Sequence, residues 1–541
     1  MAQQSEHDFI VVGAGSAGCV MAERLSADGR FNVALIEAGG TDRRFFVQMP
    51  LGYGRTFYDE RVMWTYRAEP DSGLAGQADY WPRGKVLGGS SSVNAMVWIR
   101  GAAEDFDGWA AGGAQGWSYA DCLPFFKGLE DNQAGADSWR GVGGPMHVSD
   151  VADQMHPLAH AFLAAAEQAG FDRNPDFNGA RQEGVGAYQI TTKGGWRMSA
   201  AKAFLRPAMG RRNLTVFTDT LVRSVTLEDG RATGIVVGRI DDQRALTARR
   251  EVIVCAGAVN SPQLLHLSGI GDPDHLESVG IGLAHACPAV GQNLQDHLGI
   301  NYTYRAKIRS QNEELRPLWG KALAGLDWIF RGRGPLSLSL NQAGGFVRTR
   351  PDLARPNIQL YFQALTTLEA RKGSRPLLNP DPFPGFSLGL SSCHPTARGS
   401  ILATSSDPEV APIIRPNALS TPEDRRDMLE GVKLLRHLAR QPALAGVIDA
   451  ELAPGPEVQS DDELLSDFAR RSGTVYHPVG TCRMGTDPIA CVVDSRLRVH
   501  GLKGLRVADA SVFPKIISGN TNAATMMVAA KGAAMILEDN R

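Results

Sequence analysis

Gly13-Ala14-Gly15-Ser16-Ala17-Gly18 has the G-x-G-x-x-G spacing, and an acidic residue, Glu37, follows about 20 residues later. Residues of these types at this spacing suit the binding of a dinucleotide. Gly13 permits a tight turn, Gly15 lets backbone approach a pyrophosphate, and Gly18 lets a helix pack closely on a strand. Ser16 and Ala17 open a helix whose N–H groups and positive end attract phosphate. Glu37, followed by Ala38, can accept the ribose hydroxyls. Its charge disfavours a 2′-phosphate and hence NADP, while FAD and NAD both stay open.

The elements that must position this turn are legible around it. Phe9–Val12 reads as a buried strand, Ser16–Ser26 as a helix and Asn32–Glu37 as a second strand, which together make a β-α-β unit. Glu251–Cys255 runs into Ala256-Gly257-Ala258, and Leu505–Ala508 into Asp509-Ala510-Ser511. Both read as further buried strands that end in small residues where backbone passes a cofactor. Leu214–Arg239 alternates around Asp229-Gly230, a hairpin signal. Residues 305–415 mix short β-like runs with Pro-rich loops, and 423–440 has helical spacing.

The 541 residues, 43% hydrophobic and 21% charged, are enough for a large globular core. A net charge of -2 gives no reason to expect nucleic acid or an anionic membrane as partner. Seven scattered cysteines without a C-x-x-C pair argue against a disulfide framework or a zinc site, and no metal is expected. The polar start suggests no signal peptide, and no apolar run is long enough for a transmembrane segment, so the expected location is cytoplasmic. No G-x-S-x-G occurs, which disfavours a serine hydrolase.

Three more segments carry a resemblance. They are Gly84-Lys85-Val86-Leu87-Gly88-Gly89-Ser90-Ser91-Ser92-Val93-Asn94, then Gly257 to Leu265 ending in Ser268-Gly269-Ile270-Gly271, and Tyr476-His477-Pro478-Val479-Gly480 to Gly485 with Ser518-Gly519-Asn520-Thr521-Asn522. With the N-terminal turn they resemble the glucose-methanol-choline (GMC) oxidoreductases, from about residue 8 to 538, including bacterial choline dehydrogenase-like members. The resemblance implies FAD and an α/β (α+β) architecture: a Rossmann-like FAD-binding domain built from several chain segments, plus a substrate domain with an antiparallel sheet and helices. The expected division gives 1–155, 208–305 and 465–541 to FAD, and 156–207 and 306–464 to substrate. It implies flavin contacts from Gly84, Val86, Gly88, Gly89, Ser90, Ser91, Asn94, Ala95, Met96 and Val97, and from Asn520, Thr521 and Asn522. It also implies an adenine contact from the backbone of Val222. Some members attach FAD through a His where this chain has Val93, so a non-covalent flavin is expected.

The resemblance makes His477 the base and Asn520 the second catalytic residue. Oxidising an alcohol needs a base for the hydroxyl proton and a donor that holds the developing alkoxide while hydride leaves carbon for flavin N5. A histidine titrates near neutral pH, and a neutral amide donates without titrating. The helix expected over 523–538 would aim its positive end at the reduced flavin. The expected reaction is oxidation of a primary alcohol to an aldehyde, with oxygen or a quinone or dye as acceptor. The alternative is a lyase of the hydroxynitrile type with a non-redox FAD. A non-catalytic sensor would need no His477–Asn520 pair. Gln342 stands where a choline-binding carboxylate is sought, which argues against choline. The 40–100 segment looks like bacterial members acting on primary alcohols, polyols or glycol ethers.

Overall fold

The computed structural model describes residues 6–239 and 241–541. Glu6–Val12 forms strand β1, Ser16–Leu25 helix α1 and Val33–Ile36 strand β2. β1 and β2 pair in parallel from Phe9↔Val33 to Val12↔Ile36. Phe9–Val12 and all of β2 are buried, as strands covered on both faces must be.

Leu214–Phe217 (β3) pairs in parallel with the outer side of β2. Alternation alone grouped these residues with the hairpin. A two-residue period does not distinguish parallel from antiparallel partners, and the bond from Val33 N to Asn213 O (2.8 Å) seats the segment on β2. The hairpin itself is Val222–Glu228 (β4) and Arg231–Arg239 (β5). Its turn has positive φ at both Asp229 (49°) and Gly230 (72°), the combination that matches strand twist. β5 pairs antiparallel with the first half of Asp242–Val254 (β6), while the last residues of β6 run parallel to β1. Gly257–Leu267 (α2) follows β6. Leu505–Val507 (β7) completes the seven-stranded sheet on β6, so distant chain segments share one layer. Asn522–Asp539 (α4) packs with α1 in the same core and is buried along most of its length, not a surface helix.

A second seven-stranded sheet has its main strands in the order Ile448–Ala453, Leu298–Ala306, Gly385–Ser392, Ile358–Gln363, Asn341–Val347, Gly184–Ala187, all antiparallel. Pro157–Gln168 and Pro422–Ala439 share its core. Leu318–Arg331 (α3) lies outside it. Leu298–Ala306 and Gly473–Thr474 belong to this sheet, and Ala201–Leu205 packs into the first core, because burial follows apolar contacts made after folding rather than chain position.

Candidate active site

A cavity of about 660 Å³ is lined by residues of both sheets. Contacts along its wall order it. Thr220 N bonds Glu37 O (2.9 Å), Ser16 Oγ donates to Asn522 Oδ1 (2.7 Å), and Asn520 Nδ2 meets His477 Nε2 (3.1 Å). The cavity therefore runs from Glu37 past the N-termini of α1 and α4 to the His477–Asn520 pair. Two helices aim their positive ends into it.

The turn is built as the glycine spacing demands. Gly13 has φ +95°, and a Cβ on Gly18 would lie 1.7 Å from the Gly13 carbonyl. A Cβ on Gly15 would meet only Gly89 Cα, at 4.0 Å, so this glycine leaves space for a ligand rather than for protein. Glu37 accepts from Ala14 N and Gly39 N, both at 2.8 Å, which fixes its carboxylate at the cavity wall. Burial pushes its pKa up to about 7 against those two N–H groups.

Gly15, Ser16, Ala17, Glu37 and Ala38 line the cavity, as do Gly84, Gly89, Ser90, Asn94, Ala95, Met96 and Val97. So do Val222, Ala256, Gly257, Asp509, Ala510, Asn520, Thr521 and Asn522, together with Gly13. Asp509 accepts from Gly257 N (2.8 Å) and Ser261 Oγ (2.6 Å), tying α2 to the end of β7. Gly18, Val86, Gly88 and Ser91 do not line it. Val86 is buried among Val47, Val62 and Met63, and Ser91 Oγ donates to Gly88 O (2.6 Å) while accepting from Ala200 N (2.9 Å). These four shape the wall from behind. A cofactor stretched along this cavity fits the lining: an open backbone turn, paired helix N-termini and an anchored carboxylate at one end.

The protonation of His477 is set from both sides. His297 Nε2 faces the Cys393 carbonyl (3.3 Å), an acceptor, so Nε2 carries the proton and Nδ1 of His297 accepts. His297 Nδ1 lies 3.0 Å from His477 Nδ1, which must donate. That leaves the lone pair of His477 on Nε2. From the other side, Gln359 Nε2 donates to Asn520 Oδ1 (3.2 Å), so the Asn520 amide turns its N–H toward His477 Nε2. Gln359 is held in turn by Tyr361, whose hydroxyl donates to Gln359 Oε1 (2.8 Å). Both chains assign one tautomer. Burial, with His297 and Arg83 nearby, holds His477 well below the usual imidazole value, so it is neutral. Burial holds His297 at about 3.

The backbone under His477 is also fixed. Tyr476 has φ 70°, a left-handed conformation that costs a bulky residue energy. Arg83 donates to its carbonyl (2.9 Å), Tyr476 N donates to Thr474 Oγ1 (2.8 Å), and His477 N donates to Asp296 Oδ1 (2.8 Å). Thr474 closes the loop on Asp296. An alcohol hydroxyl entering between the two side chains would replace the Asn520 N–H at His477 Nε2, donating to that lone pair while accepting from the Asn520 amide.

Sequence reasoning missed His297, Gln359 and Arg83. His297 follows Asn293-Leu294-Gln295-Asp296 directly, a polar run ending at a strand, which is the only local signal. Gln342, which stands where a choline-binding carboxylate is sought, is buried with Oε1 accepting from His156 N (2.8 Å), and the neighbouring Asn341 lines the cavity.

Fold and site define a dinucleotide-binding α/β protein with a buried histidine–asparagine pair at the far end of its cavity. Its sequence places it more narrowly. Residues 7–299 match the N-terminal and 395–529 the C-terminal part of the GMC oxidoreductase family, and the chain belongs to that family. An "Alcohol dehydrogenase [acceptor]" of Pseudomonas putida is 42% identical over 98% of this chain and 96% of its own. An "Oxygen-dependent choline dehydrogenase" of Rhizobium rhizogenes is 41% identical over 98% and 95%. The crystal structure of pyridoxine 4-oxidase from Mesorbium loti matches with a TM-score of 0.87 at 33% identity, covering 97% of this chain and 98% of that one. A formate oxidase matches in fold, at TM-score 0.92 and 24% identity over 100% and 99%. The protein is an FAD-dependent oxidoreductase acting on CH–OH groups, and none of these relatives supports the lyase alternative. Among the described residues no helix is long and apolar enough to cross a membrane.

Proposed function

We propose that this protein oxidises an uncharged primary alcohol to the aldehyde, with His477 as base, Asn520 as alkoxide donor and FAD held without a covalent bond. The observation that carries this reading is the line of contacts from His297 through His477 to Asn520, from which we assign an unprotonated Nε2 to His477 beside an amide N–H. When bound, FAD supplies the acceptor for the hydride from the alcohol carbon. The turn at Gly15–Ser16 and the end of α4 at Asn522 would hold its pyrophosphate, Glu37 its ribose, the backbone at Val222 its adenine, and the wall from Gly84 to Val97 its ring. Val93 carries no group that could attach to it. We assign cofactor binding to the first sheet and substrate binding chiefly to the second.

Arg375 argues for an uncharged substrate. Its guanidinium stacks over Phe57 (4.6 Å) and Tyr53 (5.2 Å), aromatic faces of the cavity that a trimethylammonium group would need. Oxygen and a quinone or dye are the acceptor classes in keeping with the relatives, and we place the enzyme on the cytoplasmic side.

An anaerobic panel of primary alcohols, polyols and choline, read by flavin absorbance and repeated with oxygen and a quinone dye, tests the reaction. Bleaching by neutral primary alcohols ahead of choline is expected. His477→Ala should retain FAD and lose roughly 10²–10⁴-fold in turnover. No bleaching by any alcohol, or a His477→Ala enzyme with normal turnover, refutes the reading. Flavin left in the pellet after acid precipitation refutes the non-covalent assignment.

A further inference from the structure

α3 is amphipathic in the reverse sense. Leu318, Trp319, Leu323, Leu326, Ile329 and Phe330 are exposed, Leu318 at 82% and Phe330 at 79%. They recur every three or four residues and so share one face. The inward face is narrow, made of Gly320, Ala324 and Trp328. Gly320 sits so close that a Cβ there would lie 2.2 Å from the Glu314 carbonyl. Phe45, whose ring lies 5.6 Å from that of Trp328, is 56% exposed beside it. Single exposed apolar residues are ordinary, but a contiguous face of this kind marks a contact surface.

The charges around this face are mainly basic. Between Arg316 and Arg333 the sequence has four basic residues and one acid, Asp327, which is paired to Arg331 (3.3 Å). Arg316 precedes the helix, and Arg331 and Arg333 end it, all three exposed, with Arg333 paired to Asp153 (2.6 Å). Arg316 Nη1 donates to Pro380 O (2.7 Å), which puts the loop before Pro380 alongside, and that loop adds exposed Leu368, Arg371 and Lys372 beside one exposed acid, Glu369.

We propose that α3 docks this protein on an anionic lipid surface, its apolar face in the acyl boundary and its flanking arginines among the headgroups. Trp319 and the basic ends suit that interface. A second copy of the chain suits it less. Paired antiparallel about a two-fold axis, Arg316 would face Arg331 and Arg333 of the other copy, and paired in parallel each arginine would face itself. Ala324 and Trp328 share a core cluster with Tyr53, which lines the cavity, so the docking face lies one packed layer from the site.

The test is co-sedimentation of the full-length, FAD-loaded protein with sucrose-loaded vesicles, either phosphatidylcholine alone or phosphatidylcholine with one quarter phosphatidylglycerol. At least tenfold tighter binding to the anionic vesicles is expected, falling severalfold in 0.5 M salt. A Leu323→Glu/Phe330→Glu variant should lose binding at least tenfold while keeping its FAD and its turnover with soluble alcohol and dye. The salt arm needs no variant. Absence of binding, equal binding to both vesicles, or unchanged binding by the variant overturns the proposal. So does a lipid-free dimer, seen by light scattering, that the variant dissociates.

Discussion

At the residue scale, the proposed base, His477, is oriented by a residue behind it. His297 accepts from His477 Nδ1 because its own Nε2 is committed to the Cys393 carbonyl. His297→Leu removes that acceptor and frees His477 to adopt the other tautomer, with its proton on Nε2. A loss of about 10- to 100-fold in kcat/KM is expected, by analogy with other misoriented bases. His297→Asn keeps an acceptor near the Nδ1 position and should recover most of the loss. Equal defects in the two variants, measured as flavin reduction rate with FAD occupancy held constant, would make His297 a packing residue only. His477 and Asn520 were legible because short motifs surround them. His297 was not, because its partner lies 180 positions away and only the two sheets bring them together.

At the element scale, the β1–α1 turn separates two kinds of glycine. Gly18→Ala forces a methyl against the Gly13 carbonyl and should destabilise the protein by about 1–3 kcal/mol, lowering Tm both with and without saturating FAD. Gly15→Ala meets no protein atom closer than 4.0 Å, so it should weaken FAD binding while leaving the Tm of the FAD-free protein in place. Calorimetry of both variants at several FAD concentrations decides this, and a Gly15→Ala protein with unchanged FAD affinity would contradict the placement of the pyrophosphate. Local pattern carried far here: the β-α-β unit, the Asp229-Gly230 turn and the helix at 422–439 were all readable. The parallel pairing of Leu214–Phe217 was not, since its few residues have the same period in either sheet direction.

At the scale of the whole molecule, stability should depend on pH through buried histidines. Burial holds His156 and His266 at about 4, His297 and His394 at about 3, and His477 well below its usual value. Each stays neutral in the fold and gains a proton on unfolding below about pH 6.5, so each contributes stability that is lost as pH falls. Glu37 and Asp296, raised to about 7, act in the opposite direction, because the fold holds their protons and unfolding releases them. Five groups outweigh two between pH 6.5 and 5.5, so Tm of the FAD-loaded enzyme should fall across that window. A Tm that rises as pH falls there would mean that these histidines are charged in the folded protein.

The sequence by itself determined the dinucleotide turn and the family, and it singled out the His477–Asn520 pair proposed here, because each rests on short-range spacing that a chain carries in any conformation. The tertiary structure decided which of the expected contacts reach the cavity, with Gly18, Val86, Gly88 and Ser91 standing behind its wall. It also decided the protonation of His477, which depends on two hydrogen-bond chains that start at Cys393 and Tyr361 and meet only after the second sheet is laid against the first. A tautomer is a property of neighbours in space, and residues hundreds of positions apart become neighbours only through packing.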